Sequence, residues 1–276
     1  MKIKEITFCL IFVSIILSCK KEDIGIVGDP GSPANSYIAK LSKVLTDNQS
    51  TKEYSYNDSN VVTLEKSKFD YIINHYNSKG LLTTTQYYGN DAILSSDPQV
   101  AQAALISDVW VNPSNGKIDG TINYEYDANS KLIKSTYCRP SSTSSEYSQF
   151  AYSNNRISRQ TMYWENAVTG YIDYSYDSKG NLISETLYNI PASGTAEIIS
   201  NIQYAYDNQF NPFRTINGLM TPGIKTNQNN IVKEIYTIHM SVGHGADNVQ
   251  TTVNTYDYNA MGYPVTKNGN VSFEYK

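Results

Sequence analysis

Cysteine is nearly missing from this 276-residue chain, which holds three, Cys9, Cys19 and Cys138. Cys9 lies in a segment expected to be removed and Cys19 is expected to be modified, so Cys138 is left without a partner. An intramolecular disulfide is therefore excluded, and the fold has to stand on its core. Positive charge is also in deficit: 22 Lys and Arg face 26 Asp and Glu. Without residues 1–18, which contain two Lys and one Glu, the balance is 20 against 25, or −5. A nucleic-acid partner needs a basic stripe to neutralise phosphates, so none is expected. Histidine is limited to His75, His239 and His244, and tryptophan to Trp110 and Trp164. There is no glycine-rich phosphate loop, nucleophile elbow or Cys-x-x-Cys pair. The apolar run Ile6 to Leu17 has 12 residues, too few to cross a bilayer comfortably.

That short run instead has the shape of a secretory signal, with Lys2 and Lys4 ahead of it and a small residue behind. Ile16-Leu17-Ser18-Cys19 resembles a bacterial lipoprotein signal, which implies cleavage before Cys19 and lipidation of that cysteine. Lys20-Lys21-Glu22-Asp23 resembles the charged export tag of surface-displayed Bacteroidetes lipoproteins. Ile24 to Ser36, with its Gly and Pro residues, reads as a spacer. The expected organisation is a signal peptide over 1–18, a lipidated tether over 19–36 and a folded body over 37–276. The expected place is the outer membrane, reached through a lipid anchor at Cys19 and facing outward.

What the chain has in abundance is tyrosine, 24 against 7 Phe, and all 24 lie in the body. It recurs as Tyr-x-Tyr followed by Asp or Asn: Tyr54 to Asn57, Tyr124 to Asp127, Tyr174 to Asp177, Tyr204 to Asp207 and Tyr256 to Asn259. Weaker copies are His75-Tyr76-Asn77, Phe150 to Ser153 and Phe273-Glu274-Tyr275. Tyrosines two apart share one face of a strand. Asp177-Ser178-Lys179-Gly180-Asn181 then has the composition of a hairpin loop, with Asp capping it and Gly180 supplying positive φ. Asn77-Ser78-Lys79-Gly80 repeats it, and Leu182 to Tyr188 returns as a strand. The second aromatics fall at 56, 76, 126, 152, 176, 206, 258 and 275. The two long gaps are expected to hide degenerate units around Asn112 to Ile118 and Asn227 to Val232.

The fold expected is all-β, a curved antiparallel meander of repeated hairpins, whether open, spiral or nearly closed like a barrel. Asp97-Pro98 ahead of Gln99 to Ile106 predicts one short helix near 97–106. Asn208 to Phe213, Asn229 to Lys233 and the closing Tyr256 to Lys276 give the body a similarity to tyrosine–aspartate repeats of the Rhs type. It resembles still more the small Bacteroidetes lipoproteins with degenerate repeats, a group whose function is unassigned. The toxin domain and self-cleaving segment of large Rhs proteins have no counterpart here.

Candidate site residues are few. The repeated Asp127, Asp177 and Asp207 are explained locally as turn caps, and the paired tyrosines as packing on one sheet face. Trp110 and Trp164, off the repeat register, are the candidates for ligand stacking. His239, His244 and Asp247 make the alternative, a hydrolase, but a five-residue gap spanning Gly243 needs a turn to bring two imidazoles together. A lone Cys138 reads as a small apolar side chain. No catalytic constellation, metal or cofactor is expected. The expected role is non-catalytic binding or scaffolding, with a glycan or envelope protein as partner; a purely structural repeat protein is the third reading.

Overall fold

A computed structural model describes residues 39–89, 97–106, 110–112, 116–216, 221–240 and 245–276. These form one open, curled, antiparallel sheet of 17 strands, as the repeat predicts. The first five strands are β1 (Leu41–Thr46), β2 (Gln49–Tyr56), β3 (Val62–Ser67), β4 (Asp70–Tyr76) and β5 (Leu82–Gly89). The helix α1 (Pro98–Ile106) lies between β5 and β6 (Lys117–Tyr126). There follow β7 (Leu132–Cys138), β8 (Glu146–Ser153), β9 (Arg156–Trp164), β10 (Ala167–Tyr176), β11 (Leu182–Asn189) and β12 (Glu197–Phe210). Last come β13 (Asn229–Ile238), β14 (Asn248–Val253), β15 (Tyr256–Tyr258), β16 (Pro264–Lys267) and β17 (Val271–Tyr275). Among the described residues, strands pair with their sequence neighbours except for β14 with β15, which form the two open edges, and β17 returns to pair with β1. Backbone bonds between Lys40 and Lys276, at 3.2 and 2.9 Å, seal that junction.

The turns work as their residues dictate. Asp177 Oδ1 accepts the Asn181 N–H at 2.8 Å, and Asn77 Oδ1 accepts those of Lys79 and Leu81 at 2.9 and 3.0 Å. The fourth loop residue turns to positive φ, Gly80 at 76° and Gly180 at 91°. Asn60 and Ser130 take the same conformation at 64° and 63°, which costs them more than glycine. Asp97 Oδ1 caps α1 by accepting the Gln99 N–H at 2.9 Å.

The tyrosines carry the stacking of the hairpins. In most units the second aromatic donates its hydroxyl to the carbonyl of a residue at the start of an earlier strand. Tyr56 reaches Leu41 at 2.7 Å, Tyr76 reaches Val62 at 2.7 Å, and Tyr126 reaches Leu82 at 2.8 Å. Tyr152 to Leu132 at 3.0 Å, Tyr176 to Ile157 at 2.7 Å and Tyr206 to Leu182 at 2.5 Å continue the series, and Tyr275 to Pro264 at 2.6 Å ends it. The receiving residues are fully buried, Leu41, Val62 and Leu132 among them. A buried carbonyl without a partner would be costly, so each hydroxyl fixes one hairpin against the next. Burial pushes the hydroxyls of Tyr76, Tyr126, Tyr176, Tyr206 and Tyr275 above their ordinary pKa, and that of Tyr152 to about 12.

A second inner row lies three residues beyond each of these apolar residues: Val44, Glu65, Thr85, Ser135, Gln160, Glu185, Glu234 and Lys267. Where the first aromatic is tyrosine it points its hydroxyl at this row. Tyr124 donates to Thr85 at 3.4 Å, Tyr174 to Gln160 at 3.0 Å and Tyr204 to Glu185 at 2.5 Å. Val44 offers nothing, and the buried Tyr54 hydroxyl has no partner among the described residues.

The two long gaps differ from the expectation. In the first, β5 pairs directly with β6, so the segment between them, with α1, is an insertion into one hairpin. In the second, Asn227 to Val232 is the far side of the Asp207 turn. Asp207 Oδ1 accepts the Asn230 N–H at 3.1 Å, as Asp177 accepts Asn181. The insertion within that turn folds inside the curl as two short 3-10 helices, Pro212–Thr215 and Ile224–Thr226. There Ile216 joins the core with Leu41, Val44 and Phe273. Lys225 Nζ meets both oxygens of Glu65 at 2.8 Å, with both residues buried. The Tyr256–Tyr258 signature is also two residues out of step: Tyr256, not Tyr258, donates to Ile231, at 3.2 Å, while Tyr258 bonds Asp207.

Candidate functional site

The residues singled out in the sequence do not form one site. Cys19 and His244 lie outside the described residues. His239 and Asp247 do meet, with Nδ1 and Oδ2 2.8 Å apart, at the half-exposed tip of the β13–β14 hairpin. The Met240 N–H, followed by His239, holds the Asp247 carboxyl below its ordinary range. Two bonds to one hairpin tip amount to a loop staple. No group of three His, Cys, Asp or Glu side chains among the described residues is placed to hold a metal. Cys138 is exposed rather than buried, and Asn123 donates to its sulfur at 3.7 Å.

Trp110 is half-buried next to the fully buried Val111, ahead of β6. Trp164 is half-buried at the end of β9, directly across from Glu146. Glu146 is 4% exposed, its Oε2 has no partner among the described residues, and Arg139 Nε stands 3.5 Å from Oε1. Burial raises the Glu146 carboxyl above its ordinary pKa, against the pull of Arg139. Successive side chains alternate across a sheet, so Trp164 and Tyr163 take opposite faces.

On the outer face, opposite the tyrosine ladder, the structure gathers aromatics that the sequence reading did not single out. Tyr147 on β8 lies across from Tyr163 on β9, rings stacked at 4.6 Å and 7°. Tyr171 on β10 lies across from Tyr188 on β11, stacked at 4.5 Å and 19°. Val168 pairs with Tyr163 and Ile198 with Tyr188; they are 38% and 44% exposed. The result is an aromatic and apolar stripe across five strands, about 20 Å long at the usual strand spacing. Cations flank it. The Arg159 guanidinium sits 4.0 Å over the Tyr171 ring and grips Asp173 through two bonds of 2.6 and 2.8 Å. Lys134 Nζ lies 5.0 Å over Tyr147. A third cross-strand pair, Tyr71 and Tyr88, meets edge-on at 6.1 Å on β4 and β5.

The signal for this stripe was present as an odd offset. Tyr171 precedes Tyr174 by three and Tyr147 precedes Phe150 by three, so each faces away from the ladder. Tyr163 and Tyr188 each stand six residues beyond Ile157 and Leu182, where the bulge after the turn moves them to the same outer face.

No protein-family model and no curated protein matches this sequence. Solved structures resemble it only distantly. A DUF3836 family protein from Parabacteroides distasonis is 13% identical over 49% of this chain and 88% of its own, with a TM-score of 0.24. A porin-like protein from Bacteroides uniformis is 13% identical over 86% of this chain and 98% of its own, with a TM-score of 0.38. TcdB2-TccC3 is 16% identical over 80% of this chain but 10% of its own, with a TM-score of 0.31. Likeness at this level leaves function to the chemistry of the chain itself.

Proposed function

We propose that this chain is a non-catalytic binding protein of the outer membrane, anchored through lipid on Cys19 and turned outward, that holds a glycan chain on its outer tyrosine stripe. The observation that carries the reading is two stacked pairs, Tyr147 with Tyr163 and Tyr171 with Tyr188, half-buried on four neighbouring strands of one face. Aromatic rings with a polar hydroxyl present an apolar body and a hydrogen-bonding tip, which suits the alternating faces and hydroxyls of a sugar. Arg159, Lys134 and Asp173 add polar contacts at its edges. The described chain enters the sheet at Lys40, beside the turn-capped rim, while the stripe lies toward the opposite ends of the strands. A tether ending there would leave the stripe away from the membrane.

A glycan array probed with residues 37–276 tests this reading. Binding to at least one linear glycan is expected, with a loss of tenfold or more when Tyr163 and Tyr171 are both replaced by Ala. Silence across the array removes the sugar reading. Anchoring is tested separately: Cys19→Ala should leave the protein unprocessed or free of the membrane fraction, and unchanged fractionation would refute the anchor.

A further inference from the structure

The inner row three residues past each turn is the variable position of an otherwise repetitive interior. Leucine-like residues and ladder tyrosines recur around it, while the row itself runs through Val44, Thr85, Ser135 and Gln160 to charged side chains. Three of the charged members, Glu185, Glu234 and Lys267, line one partly enclosed cavity of about 130 Å³ where β11, β13 and β16 converge. Tyr204, Tyr256, the inserted Ile224 and the amides Asn227 and Asn254 also line it.

The hydrogen bonding inside is incomplete. Glu185 Oε1 accepts the Tyr204 hydroxyl at 2.5 Å, which fixes that carboxylate in place. The Glu234 carboxylate and the Lys267 ammonium have no side-chain hydrogen bond or ion pair among the described residues, although both residues are half-buried. Elsewhere in the fold the equivalent carboxylate, Glu65, is closed off by Lys225. Opposite charges held apart across a cavity gain from a guest that carries both signs, since desolvated charge is costly unless paired. Burial weakens the charged form of Lys267 while Glu234 supports it. Two carboxylates against one ammonium also disfavour a guest with net negative charge.

We infer that this cavity binds a small zwitterion of amino-acid size, its ammonium group on Glu234 and Glu185 and its carboxylate on Lys267. The volume agrees with that size: a cavity of about 150 Å³ accommodates a benzene molecule, about six heavy atoms. The site is separate from the outer stripe and does not rest on the glycan reading.

The test is calorimetric titration of the full-length protein in detergent with glycine, L-alanine and L-lysine. Glucose, acetate and ethylamine serve as neutral and singly charged comparisons. Saturable binding of at least one amino acid is expected, with weaker or no binding of the three comparisons. Glu234→Gln and Lys267→Met should each weaken it tenfold or more, while Tyr171→Ala on the outer stripe should leave it unchanged. Should Lys267→Met fail to fold, Lys267→Arg, which keeps the charge but displaces it, should also weaken binding. No saturable heat with any of the three amino acids would overturn the inference. So would equal affinity for glucose, or binding that none of the cavity variants alters.

Discussion

The inner and outer tyrosines of this sheet are the same residue put to opposite uses. On the inner face Tyr56, Tyr76, Tyr126, Tyr152 and Tyr176 each commit the hydroxyl to one backbone carbonyl of the preceding hairpin. On the outer face Tyr147 stacks on Tyr163 and Tyr171 on Tyr188, with a cation over one ring of each pair. Inside, the hydroxyl is what cannot be removed; outside, the ring is. Abundance of tyrosine alone therefore says little about binding. The parity of its position within the strand decides which use it serves.

The largest effect that would break this comparison is alkaline pH. Burial raises the hydroxyls of Tyr76, Tyr126 and Tyr176 above their ordinary pKa, and that of Tyr152 to about 12. In the unfolded chain the same groups ionise near pH ~10. Above that point the unfolded state has shed protons that the folded state still holds, so stability falls as pH rises. Below it the contribution is fully present. Several ladder groups act together, so unfolding followed by circular dichroism should become steep above pH ~10. A flat stability profile across that range would show that the hydroxyls do not hold the stack.

Next in size is the apolar half of the ladder. Leu132→Ala should cost about 2–5 kcal/mol in denaturant unfolding, because a fully buried side chain leaves a cavity behind it. An exposed apolar residue on the outer face, Ile198→Ala, should change stability by less than about 0.5 kcal/mol. The turns sharpen the contrast further. Gly80→Val and Gly180→Val both force positive φ on a β-branched residue, at about 1–3 kcal/mol. A Cβ at Gly80 meets open space, but at Gly180 it runs into the Arg156 guanidinium, which stacks on Tyr176. Gly180→Val should therefore lower Tm more than Gly80→Val, and equal values would refute that packing.

Much of this architecture was legible because the repeat writes it locally. Asp177 and Gly180 announce a turn, and tyrosines two apart announce one face. The helix at Pro98–Ile106 was marked by Asp97 and Pro98. The insertion after Asp207 was not legible, since only its long-range contact, Lys225 with Glu65, shows that it folds inward. The same limit hid the cavity: Glu185, Glu234 and Lys267 are far apart in sequence and meet only because the sheet curls. The out-of-step Tyr258 misled for a related reason. Its signature is intact, but the residue that reaches back to the preceding turn is Tyr256.

The smallest predicted effect lies at the single flaw in the inner row. Tyr54 is buried and its hydroxyl has no partner among the described residues, because Val44 stands where Thr85 receives Tyr124. The register is the same in both hairpins: Lys43 faces Glu53 as Thr84 faces Asn123. Val44→Thr keeps the shape and places a hydroxyl within reach of Tyr54. Burying a new polar group ordinarily costs about 1–3 kcal/mol, but here one bond satisfies two buried groups at once. Val44→Thr should thus change stability by less than about 0.5 kcal/mol. Val62→Thr, equally buried with no orphan hydroxyl waiting for it, should cost at least about 1 kcal/mol. If the two substitutions prove equally harmful in denaturant unfolding, the inner row does not act as a register of tyrosine partners.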